Sequence, residues 1–186
     1  YTRSSRPKSE SGPDINRETF RRKVAHWRTP QHVVCPSRWI EDEVKKSVLT
    51  RQWPTHVIPN PVNTVVWRPI PRKEARKSLG LPLHGKVVLF GAGSGLKDHH
   101  KGGDLLLEAV SLLSQSAKSS ASNVLLAVFG QESKGFNVGP IRVIFLGRLD
   151  DRGLKNAYSA SNVMVVPSRI DNFPSTAVES LACGTP

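Results

Sequence analysis

Residues 141–182 read IRVIFLGRLDDRGLKNAYSASNVMVVPSRIDNFPSTAVESLA, and this stretch decides the fold. IRVIFLG is apolar throughout, DRGLKNAYSAS has helical composition, NVMVVPS is apolar again, and TAVESLA reads as a further helix. A strand with consecutive apolar residues has no solvated face, so it belongs in a parallel sheet covered by helices on both sides. The same alternation runs back through the preceding residues. KVVLFGAGS (86–94) is an apolar strand closing in a glycine loop, KGGDLLLEAVSLLSQ (101–115) is an amphipathic helix, and NVLLAVFG (123–130) is a second apolar strand. Four strands are expected, and the fold class is α/β, a doubly wound parallel layer. SQSAKSSASN (114–123) reads as a solvated loop between helix and strand.

Upstream, QHVVCPSRW predicts a short buried strand, and IEDEVKKSVL a helix with acids early and lysines late, as the helix dipole favours, with Ser37 as its N-cap. THVIPNPVNTVVWRP predicts a short strand before Asn60-Pro61 and then an extended connector, because the X-Pro steps disfavour helix. RKEARKSLG (72–80) is a helix stopped by Gly80 and Pro82. Residues 1–24 are polar and basic without apolar periodicity, so they predict a loop or a helix that draws its partners from a larger body.

The chain has 186 residues and 38% hydrophobic content, enough for one domain or for pieces of two. No run of eighteen apolar residues and no apolar leader is present, so a soluble, cytoplasmic chain is expected. Cys35 and Cys183 lie far apart in unrelated contexts, which suits a reducing compartment and offers no thiol nucleophile. Net charge is +12, concentrated in residues 1–77 with 17 Lys and Arg against 7 Asp and Glu. A basic surface attracts phosphates of any kind, and it leaves room for peripheral association with the inner face of a membrane. Aromatic-interleaved basic motifs, a helix-turn-helix and a zinc pattern are all lacking, which argues against specific nucleic-acid binding.

In an open parallel sheet ligands bind beyond the carboxyl ends of the strands, and three strand ends here are small or polar. The loop GAGSGLKDHHKGG (91–103) has glycines, Gly93 among them, that let backbone approach a phosphate, with Lys97 and Lys101 to neutralise its charge. It is neither a Walker A loop nor a dinucleotide fingerprint, and a flexible turn with solvated lysines is the competing reading. His99 and His100 lack further spaced ligands, so solvated loop is favoured over metal. Asp171 and Glu179, eight positions apart, bracket Asn172, Phe173, Pro174, Ser175 and Thr176 at a strand end and helix start. Uncapped amides and the dipole there form an anion site. Thr176-Ala177-Val178-Glu179 also fits a capping box, which would give Glu179 a purely local role.

The ordered series VVCPSRW, VIPNPVN, ARKSLGLP, KGGDLLLEAV, VFG, FLG, YSASNVMVVPS, DNFPST and ESLACGTP resembles the family 4 (group 1) retaining glycosyltransferases of the GT-B fold, from residue 33 onward. The resemblance implies sugar transfer from a nucleotide diphosphate sugar to an acceptor hydroxyl, with retention and without a metal or other cofactor. It places Lys101 on the diphosphate, Asp171 near the transferred sugar and Glu179 on the ribose. Phe173 to Thr176 would lend backbone amides, and Gly147 and Arg148 would lie beside the base. The acceptor would be a glycan, a lipid-linked or a small molecule. Two departures stand out. The first acid is Asp where many members have Glu, and the family's arginine before the K-G lysine falls on Leu96, leaving Lys97, His99 or His100 to replace it. By this resemblance residues 1–70 are the C-terminal remnant of an acceptor domain plus linker, and 71–186 a truncated donor domain. A non-catalytic nucleotide-binding remnant, an inactive fragment and a sugar epimerase of the same fold are alternatives.

Overall fold

The computed structural model describes residue 6 and residues 11–91, 93, 95–116 and 123–186. Ala92, Ser94 and most of the Ser-rich stretch at 114–123 lie outside the described residues, so the expectation of a solvated loop there is not addressed. The chain divides into two units, Tyr1–Pro59 and Asn60–Pro186.

The first unit is built on a β–α–β element. β1 (Val33–Cys35) and β2 (Thr55–Val57) pair in parallel, with α2 (Arg38–Lys46) between them in sequence. Ser37 caps α2 by accepting from the Ile40 amide, and Glu41 early with Lys45 and Lys46 late match the dipole. The basic segment before it forms α1 (Ile15–His26), capped by Asp14 and burying none of its residues.

The second unit holds the expected α/β layer. After α3 (Arg72–Ser78) come β3 (Lys86–Gly91), α4 (Gly103–Ser116), β4 (Val124–Phe129), β5 (Phe136–Val138), β6 (Ile141–Gly147), α5 (Asp151–Ala160), β7 (Val163–Met164) and α6 (Ser175–Ala182). The sheet order is β5-β6-β4-β3-β7, with β3 parallel to β4 and β7, and β4 parallel to β6. Alternate side chains feed two cores. Leu125, Ala127 and Phe129 join Val87, Leu89, Ala157 and Tyr158 on the face covered by α3, α5 and α6. Leu126 and Val128 join Phe90, Leu106, Val110, Ile141 and Val143 on the face covered by α4. Both faces of β4 are dry, which explains its unbroken apolar sequence. Each such Leu, Val or Phe contributes about 1.5–3 kcal/mol relative to exposure.

Two features differ from the sequence-based expectations. β5 is an additional strand, antiparallel to β6 at the sheet edge, joined to it by a turn with Gly139 at φ +57°. NVMVVPS contributes only Val163 and Met164 to the ladder, although the Val165 amide still donates to the Leu89 carbonyl. The contact boundary between the two units falls at Pro59/Asn60, and Trp67 and Ile70 of the connector pack on the second unit's core.

The N-terminal edge of the sheet is tied together by one buried cation. Arg76, 2% exposed, donates to the carbonyls of Ala160, Pro82, Leu83 and Gly85 and to Asn162 Oδ1. Asn162 Oδ1 also accepts from the Val87 amide, so a single guanidinium fixes the entries of β3 and β7.

Candidate active site

Strand order reverses between β3 and β7: β4 and β6 lie on one side of β3, and β7 lies on the other. At such a reversal the loops leaving the strand ends diverge and open a crevice. The crevice here has a volume of about 310 Å³, lined by Phe90 and Gly91 at the end of β3 and Gly93 just after it, by Val166, Ser168 and Asp171 after β7, by Lys101, and by Phe173 to Thr176 at the start of α6. It continues past Gly93 to a second hollow lined by Gly130, Gln131, Glu132 and Arg148, so the ends of β3, β4, β6 and β7 share one rim.

Lys101 and Asp171, seventy positions apart, meet across the crevice: Lys101 Nζ donates to Asp171 Oδ2 at 2.6 Å. Their side chains are 38% and 17% exposed, so the pair is reachable from solvent. Ser168 Oγ stands 3.5 Å from the same carboxylate oxygen. Two loops bring the pair together. The Arg169 amide donates to the His100 carbonyl at 2.8 Å, and Gly102, at φ +71°, lies with its backbone directly on the Pro167 carbonyl. A β-carbon at Gly102 would collide with that carbonyl, so the glycine is a packing requirement of the site.

The capping-box expectation for Glu179 fails on register. α6 begins at Ser175 with Pro174 as its cap residue and no side-chain cap, which puts Glu179 past the first turn. Instead the Tyr158 hydroxyl donates to Glu179 Oε2 at 2.8 Å. Tyr158 is fully buried, and burial followed by the Glu179 bond pushes its phenol far above the usual range. Burial likewise raises the Glu179 carboxyl, and the Tyr158 hydrogen bond partly offsets this. Without a capping side chain, the start of α6 keeps its amides and positive dipole end directed toward the crevice lined by Ser175 and Thr176.

Of the residues singled out in the sequence, Gly93, Lys101, Asp171, Phe173, Pro174, Ser175 and Thr176 line the crevice, and Arg148 lines its continuation. Gly147, at φ +70°, supports that continuation by accepting from the Gly130 amide. Asn172 is exposed beside Asp171, and Glu179 is half-buried with its Oε2 bonded to Tyr158; neither is among the residues lining the crevice. Lys97 is exposed on a 3-10 turn away from the crevice lining, and Leu96 packs into the core on the α4 face. His99 and His100 stack edge to face near Asp104, and no group of three or more His, Cys, Asp or Glu among the described residues could hold a metal.

Sequence reasoning missed Ser168, Gln131, Glu132 and the Arg169–Asp104 ion pair. Arg169 Nη1 and Nη2 donate to the two Asp104 oxygens at 2.7 Å each. The charge-assisted bonds from Arg169 hold the Asp104 carboxyl at about 2, below its ordinary 3.8. The signal available was the Ser-Arg step two residues before Asp171 and the Asp three residues after Lys101.

A doubly wound domain with a crevice at its strand reversal has a Rossmann-like fold. The chain belongs to the group 1 glycosyl transferases, whose family model matches residues 71–186. It is 33% identical over 143 residues to a D-inositol 3-phosphate glycosyltransferase of Acidothermus cellulolyticus, covering 70% of this chain and 31% of that protein. A D-inositol 3-phosphate glycosyltransferase of Mycobacterium leprae is 34% identical over 130 residues, covering 67% of this chain and 30% of that protein. The chain thus spans about a third of the length of these curated relatives. Among solved structures, sucrose-phosphate synthase from Thermosynechococcus elongatus superposes with a TM-score of 0.69 at 26% identity, over 92% of this chain and 43% of that one. HepE of Anabaena, solved with UDP-glucose, superposes with a TM-score of 0.64 at 19% identity, over 86% of this chain and 44% of that one. The fold is that of GT-B glycosyltransferases. No helix among the described residues is long and apolar enough to cross a membrane.

Proposed function

We propose that residues 71–186 bind the nucleotide diphosphate sugar donor of a glycosyltransferase that passes the sugar to an acceptor hydroxyl with retention of configuration. The observation that carries this reading is the Lys101–Asp171 pair facing the start of α6 across the crevice. A diphosphate entering there takes the Lys101 ammonium from Asp171 and meets the amides of α6, so cation and dipole stabilise the leaving group together. The bond between the anomeric carbon and the diphosphate oxygen breaks, the acceptor oxygen takes its place on the sugar, and the acceptor's proton passes to the departing diphosphate. Asp171, released from Lys101, faces the transferred sugar.

Glu179 keeps Oε1 for a ribose hydroxyl while Tyr158 holds Oε2, and Arg148 with Gly147 lies toward the base. Lysine and helix amides do the work that other enzymes assign to a metal ion, so the proposed site needs none. The HepE complex with UDP-glucose supports a nucleotide sugar as the ligand class, and the D-inositol 3-phosphate glycosyltransferases support a small-molecule acceptor.

Isothermal titration of the chain with UDP, GDP and UDP-glucose tests the reading. Binding of a nucleoside diphosphate that is lost in Lys101→Ala supports it, and equal binding by the variant overturns it. Because the chain spans about a third of its relatives, a second reading is a nucleotide-binding domain without turnover of its own. A donor-hydrolysis assay separates the two.

A further inference from the structure

Lys101 and Asp171 sit on two loops, and neither loop contributes a ladder strand where the two residues meet. What holds the loops together lies just outside the pair. Arg169, two residues before Asp171, forks onto both oxygens of Asp104, three residues after Lys101. The same Arg169 Nη1 donates to the His99 carbonyl at 2.9 Å, while the Arg169 backbone amide donates to the His100 carbonyl. His99 Nδ1 stands 3.8 Å from Asp104 Oδ2 at the edge of the cluster. Every donor of this clamp comes from the loop after β7, and every acceptor comes from the segment running into α4.

A bidentate guanidinium–carboxylate pair fixes distance and orientation together, because two parallel bonds leave no free rotation between the planes. The Arg169 side chain is 30% exposed and that of Asp104 is 54% exposed, so the pair contributes little to global stability. Its geometry has a local consequence: it holds the segments bearing Lys101 and Asp171 in one register.

We infer that Arg169 and Asp104 are positioning residues that set the Lys101–Asp171 spacing, so that the crevice receives a diphosphate in a prepared site rather than assembling it on binding. The ligand part of this inference rests on the donor-binding reading above; the spacing part does not. Two measurements on the 186-residue chain keep them apart. The first is the rate of acetylation of the Lys101 amine by acetic anhydride, followed by mass spectrometry, since an amine held against Asp171 reacts slowly. Arg169→Ala and Asp104→Ala each raise that rate at least threefold, with no comparable change at the exposed Lys97. The second is UDP titration, in which each variant binds about tenfold more weakly and the double alanine variant loses no more than either single one.

Exchanging the charges, Arg169→Asp with Asp104→Arg, restores most of the protection at Lys101. Thermal midpoints within about 3 °C of the parent chain confirm that the variants fold. Unchanged acetylation of Lys101 in Arg169→Ala, or losses that add in the double variant, overturns the inference. If the parent chain binds no nucleotide, the donor reading fails and the acetylation rates alone decide whether the clamp positions Lys101.

Discussion

Arg76 and Lys101 are cations at opposite ends of the same sheet, and they are held in opposite ways. Arg76 is 2% exposed and spends its donors on four carbonyls and one amide oxygen, all fixed by the fold. Lys101 has a side chain 38% exposed and meets one carboxylate on a neighbouring loop. A saturated cation cannot serve a ligand without unmaking the fold around it. A cation with one exchangeable partner can change that partner at little cost. The amino ends of the strands are therefore organised for stability, and the carboxyl ends for exchange.

The largest expected effect comes from breaking the saturated end. Arg76→Ala removes the donor from the buried Ala160 carbonyl and from three half-buried ones, and should lower stability by about 3 kcal/mol in urea unfolding, by the usual cost of orphaned buried groups. Near-parent stability would show that those carbonyls find water and that Arg76 is not a tie. Next is the exchangeable end. Lys101→Ala should weaken nucleoside diphosphate binding about thirtyfold, or about 2 kcal/mol, with the unfolding midpoint in urea nearly unchanged. Glu179→Gln should cost less, because the ribose contact proposed for it would bear no part of the leaving group's charge; in an enzyme assay a larger turnover loss for Glu179→Gln would reverse the assignment.

Tyr158→Phe sharpens the comparison at the junction between core and site. It removes the bond to Glu179 Oε2 and should cost about 1 kcal/mol of stability while raising the Glu179 carboxyl further, since that bond opposes the effect of burial. Carboxyl titration by NMR reads the second effect, and a downward shift would count against it. The smallest effect is electrostatic. The folded pKa of Asp104 is about 2 against an ordinary 3.8, so the stabilisation from its pair with Arg169 is fully present above about pH 4 and is lost as pH falls through about 2. In Arg169→Ala the Asp104 titration should move up toward 3.8.

The sequence made one layer of this organisation readable and hid another. Runs such as KVVLFG and VLLAVF announce strands buried on both faces, and glycines with small polar residues after them mark the rim of the crevice. Lys101, Asp171 and the residues from Phe173 to Thr176 were visible because their order and spacing matched a known family. Arg76 was hidden within RKEARKSLG, where composition says helix and nothing says which basic side chain turns inward. β5 was hidden because a three-residue edge strand with two exposed positions has no alternation to detect. Glu179 looked like half of a capping box because the pattern does not reveal that Pro174 starts the helix count. Lys97 looked like a phosphate ligand because a loop sequence gives no direction to its side chains.

On the proposed reading, the crevice at the β3/β7 reversal receives a nucleoside diphosphate on Lys101 and the first turn of α6. A crystal structure of the chain soaked with UDP tests it most directly. The expected density shows a pyrophosphate oxygen within hydrogen-bond distance of Lys101 Nζ and of the Ser175 or Thr176 amide, with the Lys101–Asp171 bond opened. A nucleotide bound elsewhere, or bound with that pair intact and Lys101 untouched, would contradict it.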